Sequence, residues 1–456
     1  MNRQIVHPWD TLFIERRLLR WLLFFYCLFI LYGAFIPFRF DPNPGFVQAQ
    51  WSRFFAVPFI HGDGTISAPD VVANILFLFP FGLLWIGAEI LRRPSGGPHR
   101  ASLSALVLGS MVGLLIEIGQ TFFPGRTASI LDALCNGVGS GLGGLVGCYL
   151  FRALRGTLGT ILIQTIQQQP SLVLFALLCA APLFDAFYPF HITLDISTVW
   201  HNVKQARWIP FIGELRRPLL DLVVEKALLF AALGFLAYQF LCCDKKRGSR
   251  TLAWIGCSAL ALAIEGGKLF FVGRSPSADN FLLSLLGAWV GVLCLPALVQ
   301  ARVFQRRPRM SLLTAFLGVN CYMALSPFDW VGSVSEAQAR LARIEWLPFF
   351  AYYGANPLSA LFDLAKKLFL IGPIGFLIAY RPERGIGPGH KNRVIVMGLA
   401  LGLLLETIQI LLRSRSPAVT DVALFGLASW LGAAAFERYQ RIRTLRIDNQ
   451  VKPLRP

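Results

Sequence analysis

IEIGQTFFPGRTASILD, residues 116–132, lies between two long runs of Leu, Val, Gly and Phe, yet it carries Glu117, Gln120, Arg126 and Asp132. An ionised side chain at the centre of a spanning helix costs about 2.5 to 3.5 kcal/mol on insertion scales, so charges beside hydrocarbon segments need partners or a task. The flanking apolar runs are about twenty residues long, enough for an α-helix to cross a bilayer core. The stretch therefore reads as a polar tip joining two spanning helices.

The same texture extends along the chain. Of 456 residues, 55% are hydrophobic and 15% charged, and the mean hydropathy is +0.57. This predicts an all-α polytopic transmembrane bundle rather than a soluble globule. The net charge of +18 does not point to nucleic acid, because Lys and Arg fall in short clusters between apolar blocks instead of one basic stripe. With six His and neither HExxH nor paired CxxC, no metal or other cofactor is expected. The nine Cys lie in apolar blocks or at their ends and read as buried thiols; Cys242 and Cys243 offer a lipid-attachment site as the alternative to packing. Arg16, Arg17 and Arg20 ahead of an apolar run imitate a secretory signal, but no small-residue cleavage site follows before Pro37. An uncleaved span is the better reading.

The chain repeats itself three times. Pro-Phe pairs end apolar runs at Pro37/Phe38, Pro189/Phe190 and Pro327/Phe328, and second pairs follow 21 residues later at Pro58/Phe59, Pro210/Phe211 and Pro348/Phe349. Each copy then brings a Gly (Gly82, Gly234, Gly375), a Glu (Glu117, Glu265, Glu406), an Arg nine residues beyond it (Arg126, Arg274, Arg415) and an Asp opening the next apolar run (Asp132, Asp279, Asp421). Four helices are predicted per copy: 19–36, 72–91, 102–121 and 131–151; 171–188, 223–242, 252–271 and 280–299; 310–326, 364–380, 394–412 and 420–436. About twelve spans result, in units 1–155, 165–302 and 308–440 with a basic tail at 441–456. An even number of spans per unit makes the repeats parallel and suggests pseudo-threefold symmetry. With the amino terminus inside, RRPSGGPHR (92–100), KKRGSR (245–250), QRRPR (305–309) and RYQRIRTLR (438–446) all fall on the cytoplasmic side. Both termini are then cytoplasmic, and the three Glu/Arg/Asp clusters face outward.

Within each cluster the spacing suggests chemistry. Glu117 and Gln120, three apart, share a helix face, as do Glu406 and Gln409; Glu265 and Lys268 make an internal ion pair in the second copy. The guanidinium of Arg126 suits a two-pronged contact with Glu117, and Asp132 suits a helix cap. These groups either tie helix ends together or line a polar pocket. Asn74 and Asn136 sit at matching depth in the first copy, where the later copies have Lys226 and Lys367, or Leu283 and Phe425. The first copy is therefore the polar, candidate-active one, and Lys226 and Lys367 are candidates to neutralise Glu265 and Glu406. GVGSGLGGLVG (137–147) has the small-residue spacing of close helix packing, and no strand precedes it to make a nucleotide loop. SVSEAQARLARIEW (333–346) is amphipathic and suits the outer surface.

NILFLFPFGLL (74–84), IEIGQTFFPGR (116–126) and DALCNGVGSGLGG (132–144) together resemble the signature of VanZ-like membrane proteins, most closely in the first copy, with degraded versions in the second and third. The resemblance implies a helical, membrane-embedded protein of the bacterial inner membrane, in a family whose namesake is associated with low-level resistance to the glycopeptide teicoplanin. The expectation is an outward polar site, built from Asn74, Glu117, Gln120, Arg126, Asp132 and Asn136 and their counterparts Glu265, Lys268, Arg274, Asp279, Glu406, Gln409, Arg415 and Asp421. It would bind membrane lipids or a lipid-linked envelope precursor and affect how surface-directed drugs reach their target. Two alternatives stand beside it. In one, Glu117 or Asp132 is a general base acting on a lipid-linked substrate, a reading without a nucleophile, His base or metal set to support it. In the other, the spans and intramembrane Lys and Glu form a transporter.

Overall fold

The computed structural model describes residues 16–36, 38–55, 68–90, 98–126, 128–155, 157–187, 192–210, 223–242, 249–342, 344–353, 357–380 and 390–451. Pro37, Pro58/Phe59, Pro189/Phe190, Phe211, Cys243 and the basic residues at 92–97 and 245–248 lie outside these ranges. The described residues are helical throughout, joined by turns and a few isolated bridges. They divide into two compact units, Met1–Ile163 with Phe350–Gly354, and Gln164–Phe349 with Ala355–Pro456.

The first copy contains α1 (Arg16–Phe35), the short α2 (Pro44–Phe54), α3 (Ala68–Ile90), α4 (Pro98–Gln120) and α5 (Ile130–Arg155). After α6 (Thr157–Gln168), the second copy supplies α7 (Pro170–Phe187), α8 (Ile196–Gln205), a π-helical turn Val223–Ala227 leading into α9 (Leu228–Cys242), α10 (Ser249–Gly267) and α11 (Ala278–Gln300). The third supplies α12 (Arg302–Arg306), α13 (Pro308–Leu325), α14 (Val334–Leu341), α15 (Phe350–Tyr353), α16 (Pro357–Ala379), α17 (His390–Gln409) and α18 (Val419–Val451). Each of the twelve apolar runs is thus a helix. Eight helices in the described residues are long and apolar enough to cross a membrane: 102–120, 130–154, 170–187, 225–242, 249–270, 278–300, 391–409 and 419–442. The last helix continues to residue 451, well past the expected 436.

These helices expose many large apolar residues besides those they bury. On α4, Leu103, Val107, Met111 and Leu115 recur every fourth residue on an exposed stripe, while Ala105 and Ile116 on the other face are buried. That inverted pattern suits a lipid surround, where an exposed apolar side chain has no water to avoid. Glycine sets the inner packing. A Cβ at Gly143 of α5 would collide with the carbonyl of Phe79 in α3; one at Gly291 of α11 would meet Ala231, and one at Gly432 of α18 would meet Gly372. The three glycines occupy the same position in their copies, so in each copy the second and fourth spans touch backbone to backbone. This is the packing role expected for GVGSGLGGLVG.

Short helices α2, α8 and α14 follow the first span of their copies, and each has a side-chain cap. Asn43, Asp195 and Ser333 accept from the backbone N–H of Gly45, Thr198 and Glu336. Hydrogen bonds from Ser197 and Thr198 hold the exposed Asp195 carboxyl down at about 2. Phe38 and Phe328, the aromatic members of equivalent pairs, both adopt left-handed backbone, φ 62° and 65°. Few bulky side chains tolerate that region, and here it turns the chain sharply off the first span.

Gly143→Leu should prevent α3 and α5 from closing. Overpacking costs about 1 to 3 kcal/mol even where side chains can shift, and here the obstacle is backbone. Monodispersity on gel filtration in detergent should be lost, whereas Leu115→Ala on the lipid stripe should leave it intact.

Candidate functional site

Glu117, Glu265 and Glu406 are buried at 4%, 9% and 6% exposure, although each ends an apolar helix. Their carboxylates all do the same thing. Glu117 Oε2 accepts the backbone N–H of Ser129 at 2.9 Å, Glu265 Oε2 that of Ser277 at 2.9 Å, and Glu406 Oε2 that of Ala418 at 2.8 Å. The acceptor is twelve residues ahead of its donor in every copy, and the donor stands at the threshold of the next span. The amides at a helix start have no partner within the helix, and a carboxylate is the strongest acceptor available to them. The Glu is a clasp that closes the turn between the two helices.

In the first and third copies the arginine reaches backbone carbonyls. Arg126 donates to the carbonyls of Gly33 (2.6 Å) and Ile36 (3.2 Å), and Arg415 donates to those of Met323 and Ser326 (2.8 Å each). These carbonyls occupy matching positions at the end of the first long helix of the first and third copies, where the last turn leaves acceptors open. The guanidinium fork thus caps a helix end. Three further polar residues, not singled out by the charge pattern, brace the turn from the short helices α2, α8 and α14. Gln50 donates to the carbonyl of Arg126, Asn202 to those of Leu269 and Phe271, and Arg340 to those of Ile410, Arg413 and Arg415. All three lie thirteen residues beyond the Pro of the first Pro-Phe pair of their copy, a regularity present in the sequence but carried by three different residue types.

The aspartates also differ from expectation. Asp132 Oδ1 accepts from Asn74 at 2.5 Å, while the capping hydroxyls are those of Ser129 and Ser277. Asp421 pairs with Lys367 at 2.6 Å, and Lys367 also reaches Asp363 at 2.9 Å. Lys226 pairs with Asp185 (2.8 Å) and Glu225 (3.6 Å). Lys226 and Lys367 thus make these direct ion pairs with carboxylates other than the clasp Glu. Lys268 meets its clasp Glu265 at 2.6 Å, as its spacing predicts. Gln120 donates to the carbonyl of Ala34 at 3.1 Å, and Gln409 is buried. Asn136 is 1% exposed, and its Oδ1 meets no hydrogen-bond donor among the described residues.

The second copy is different again. A cavity of about 210 Å³ opens there, walled by Arg207, Lys226, Lys268 and Arg274 with Asp185, Asp279 and the turn 273–277. Arg207 and Asp279 are 3.9 Å apart. Lys226 projects from the π-helical turn, a distortion found often at functional sites. At the positions of Lys268, Arg207 and Asp185 the other copies have Gln120 and Gln409, Phe55 and Glu345, and Gly33 and Met323. These three wall charges are thus particular to the second copy, while Lys226 and Arg274 have charged counterparts in Lys367 and in Arg126 and Arg415. The first copy, expected to be the polar one, spends its Asn74, Glu117, Gln120, Arg126 and Asp132 on structural hydrogen bonds.

A model of the VanZ/LLP1 family matches the chain twice, over residues 23–155 and 164–300. The chain belongs to the VanZ/LLP1 family. Neither curated proteins nor solved structures match it. Both VanZ/LLP1 matches include a complete clasp, Glu117 with Ser129 and Glu265 with Ser277. The third copy lies outside the matched residues, yet Glu406, Arg415 and Arg340 make the equivalent contacts.

Removing the carboxylate should be costly in proportion to what it leaves behind. Glu117→Ala strands the N–H of Ser129 without its acceptor, a loss of about 1 to 3 kcal/mol; Glu117→Gln keeps a carbonyl oxygen in place and should lose less. Thermal unfolding in detergent should rank wild type above Gln above Ala.

Proposed function

We propose that this VanZ/LLP1 protein is a multi-pass protein of the bacterial inner membrane that binds the phosphate-bearing headgroup of an envelope lipid in the cavity of its second copy. In this reading twelve spans form three parallel units, 1–155, 165–302 and 308–440, with both termini and the tail 441–456 in the cytoplasm. The cavity then opens at the outer face.

The observation that carries the proposal is the composition of the wall, where four cationic side chains face two carboxylates. Glu265 and Glu225 stand behind Lys268 and Lys226 and bring the formal charge of the group to zero, so a phosphate would be held by the placement of the cations rather than by a net positive charge. Arg207 and Arg274 supply planar forks suited to phosphate oxygens. Size narrows the ligand. Pockets for drug-sized molecules begin at about 300 Å³, so 210 Å³ admits a headgroup and excludes a whole glycopeptide. An effect on glycopeptide susceptibility would therefore act through the lipid, not through capture of the drug.

The test uses the residues that the first copy carries at the same positions. Arg207→Phe with Lys268→Gln removes two cations and reproduces a Glu–Gln arrangement already present at Glu117 and Gln120. Each charge-assisted hydrogen bond is worth about 1.5 to 3 kcal/mol, so retained lipid phosphate should fall by about tenfold or more. Mass spectrometry and phosphate assay of the purified proteins provide the readout. A folded double variant that retains as much lipid as wild type would contradict the proposal.

A further inference from the structure

Beside the cavity runs a surface that its chemistry does not require. Residues 192–209 expose Ile192 (70%), Leu194 (80%), Ile196 (84%), Trp200 (58%), Trp208 (63%) and Ile209 (63%). In water such a run would be a liability. Its other face is seated: Asn202 is 2% exposed and holds the carbonyls of Leu269 and Phe271, and Arg207 pairs its backbone with Pro276 and Ala278. The exposed face is itself divided. Ile196 and Trp200 lie one turn apart, and Lys204 another turn on lays its ammonium 5.6 Å from the Trp200 ring. His201 and Gln205 hydrogen-bond to each other along the neighbouring strip. Apolar residues and Trp on one strip with polar residues along the next is the pattern of a helix lying in a membrane interface.

Two observations decide for lipid over a protein partner. The segment continues from α7, a helix long and apolar enough to span, whose Leu174 and Leu177 are 55% and 59% exposed. It also recurs: Phe40 (62%) and Phe55 (67%) flank α2, and Trp330 (51%), Val334 (75%) and Trp346 (72%) flank or begin α14. Each copy of a membrane protein meets lipid, whereas a single docked protein has no reason to select the same place in all three.

We infer that residues 192–209 form a foot seated in the membrane interface, with the lipid surface as its partner, and that α2 and α14 are its counterparts. This rests on the headgroup reading for one consequence. Arg207 precedes Trp208 directly, so the foot holds the cationic wall at the depth of the lipid phosphates, and the ligand enters sideways from the leaflet. A soluble phosphate compound would lack that route.

The test uses full-length protein in liposomes whose lipids carry bromine on the upper acyl carbons. The emission lost on Trp200→Phe with Trp208→Phe isolates these two exposed rings, and a gel-filtration profile matching wild type shows that the variant is folded. Brominated lipid should quench that difference emission at least twofold more than aqueous acrylamide does. Quenching by acrylamide alone would place the foot in water and overturn the inference. Shielding from both quenchers would show a protein cover, such as a second copy of this chain, and overturn it equally. Lipid quenching of the foot together with unchanged lipid retention in the Arg207→Phe, Lys268→Gln protein would uphold the foot and dismiss the headgroup site.

Discussion

The turn between the third and fourth long helices of each copy depends on a buried carboxylate with a backbone amide as its partner. The pairing of Glu117, Glu265 and Glu406 with the N–H twelve residues on fixes where one span ends and the next begins. A helix start in or near a bilayer leaves amides that water cannot serve freely, and an unsatisfied one is expensive. The arginines solve the complementary problem at the end of the first span, where Arg126 and Arg415 occupy open carbonyls. Opposite charges are thus divided between the two kinds of helix end, each matched to the sign of the local dipole. With the turn closed from both sides, the backbone contacts at Gly143, Gly291 and Gly432 can form below it.

A scaffold that satisfies its own backbone leaves side chains elsewhere free to diverge. The first copy remains close to the bare scaffold, with Asn74 answering Asp132. The third replaces that contact with a Lys367–Asp421 ion pair. The second changes the most: Asp185, Arg207, Lys226 and Lys268 surround an opening that the clasp alone would not require. Because Lys268 also neutralises Glu265, the clasp and the cavity share a wall, and occupancy of one bears on the strength of the other.

Much of the fold was legible from hydropathy, because twenty-residue apolar runs admit few structures other than helices. The order of the conserved spacings within the chain also located every clasp Glu, and three-residue spacing identified the Glu265–Lys268 pair. The partners of Arg126 and Arg415 were not legible. A charge pattern displays other charges, whereas the carbonyls of Gly33 and Met323 belong to residues with nothing polar to display. Gln50, Asn202 and Arg340 were hidden for a related reason, since the shared task is donation and three unlike side chains perform it. The cavity was missed because Asn-rich polarity in the first copy drew more notice than the second copy's cations. Only the structure shows that Asn74 is spent on an internal bond to Asp132.

The most direct test of the account is the side of the membrane on which the second copy's turn lies. Ser275 lines the cavity, and Ser275→Cys would report its exposure to a membrane-impermeant maleimide, scored as added mass relative to the parent protein. Labelling of spheroplasts without permeabilisation is the predicted result. Labelling that requires permeabilisation would place the cationic wall in the cytosol and contradict the account.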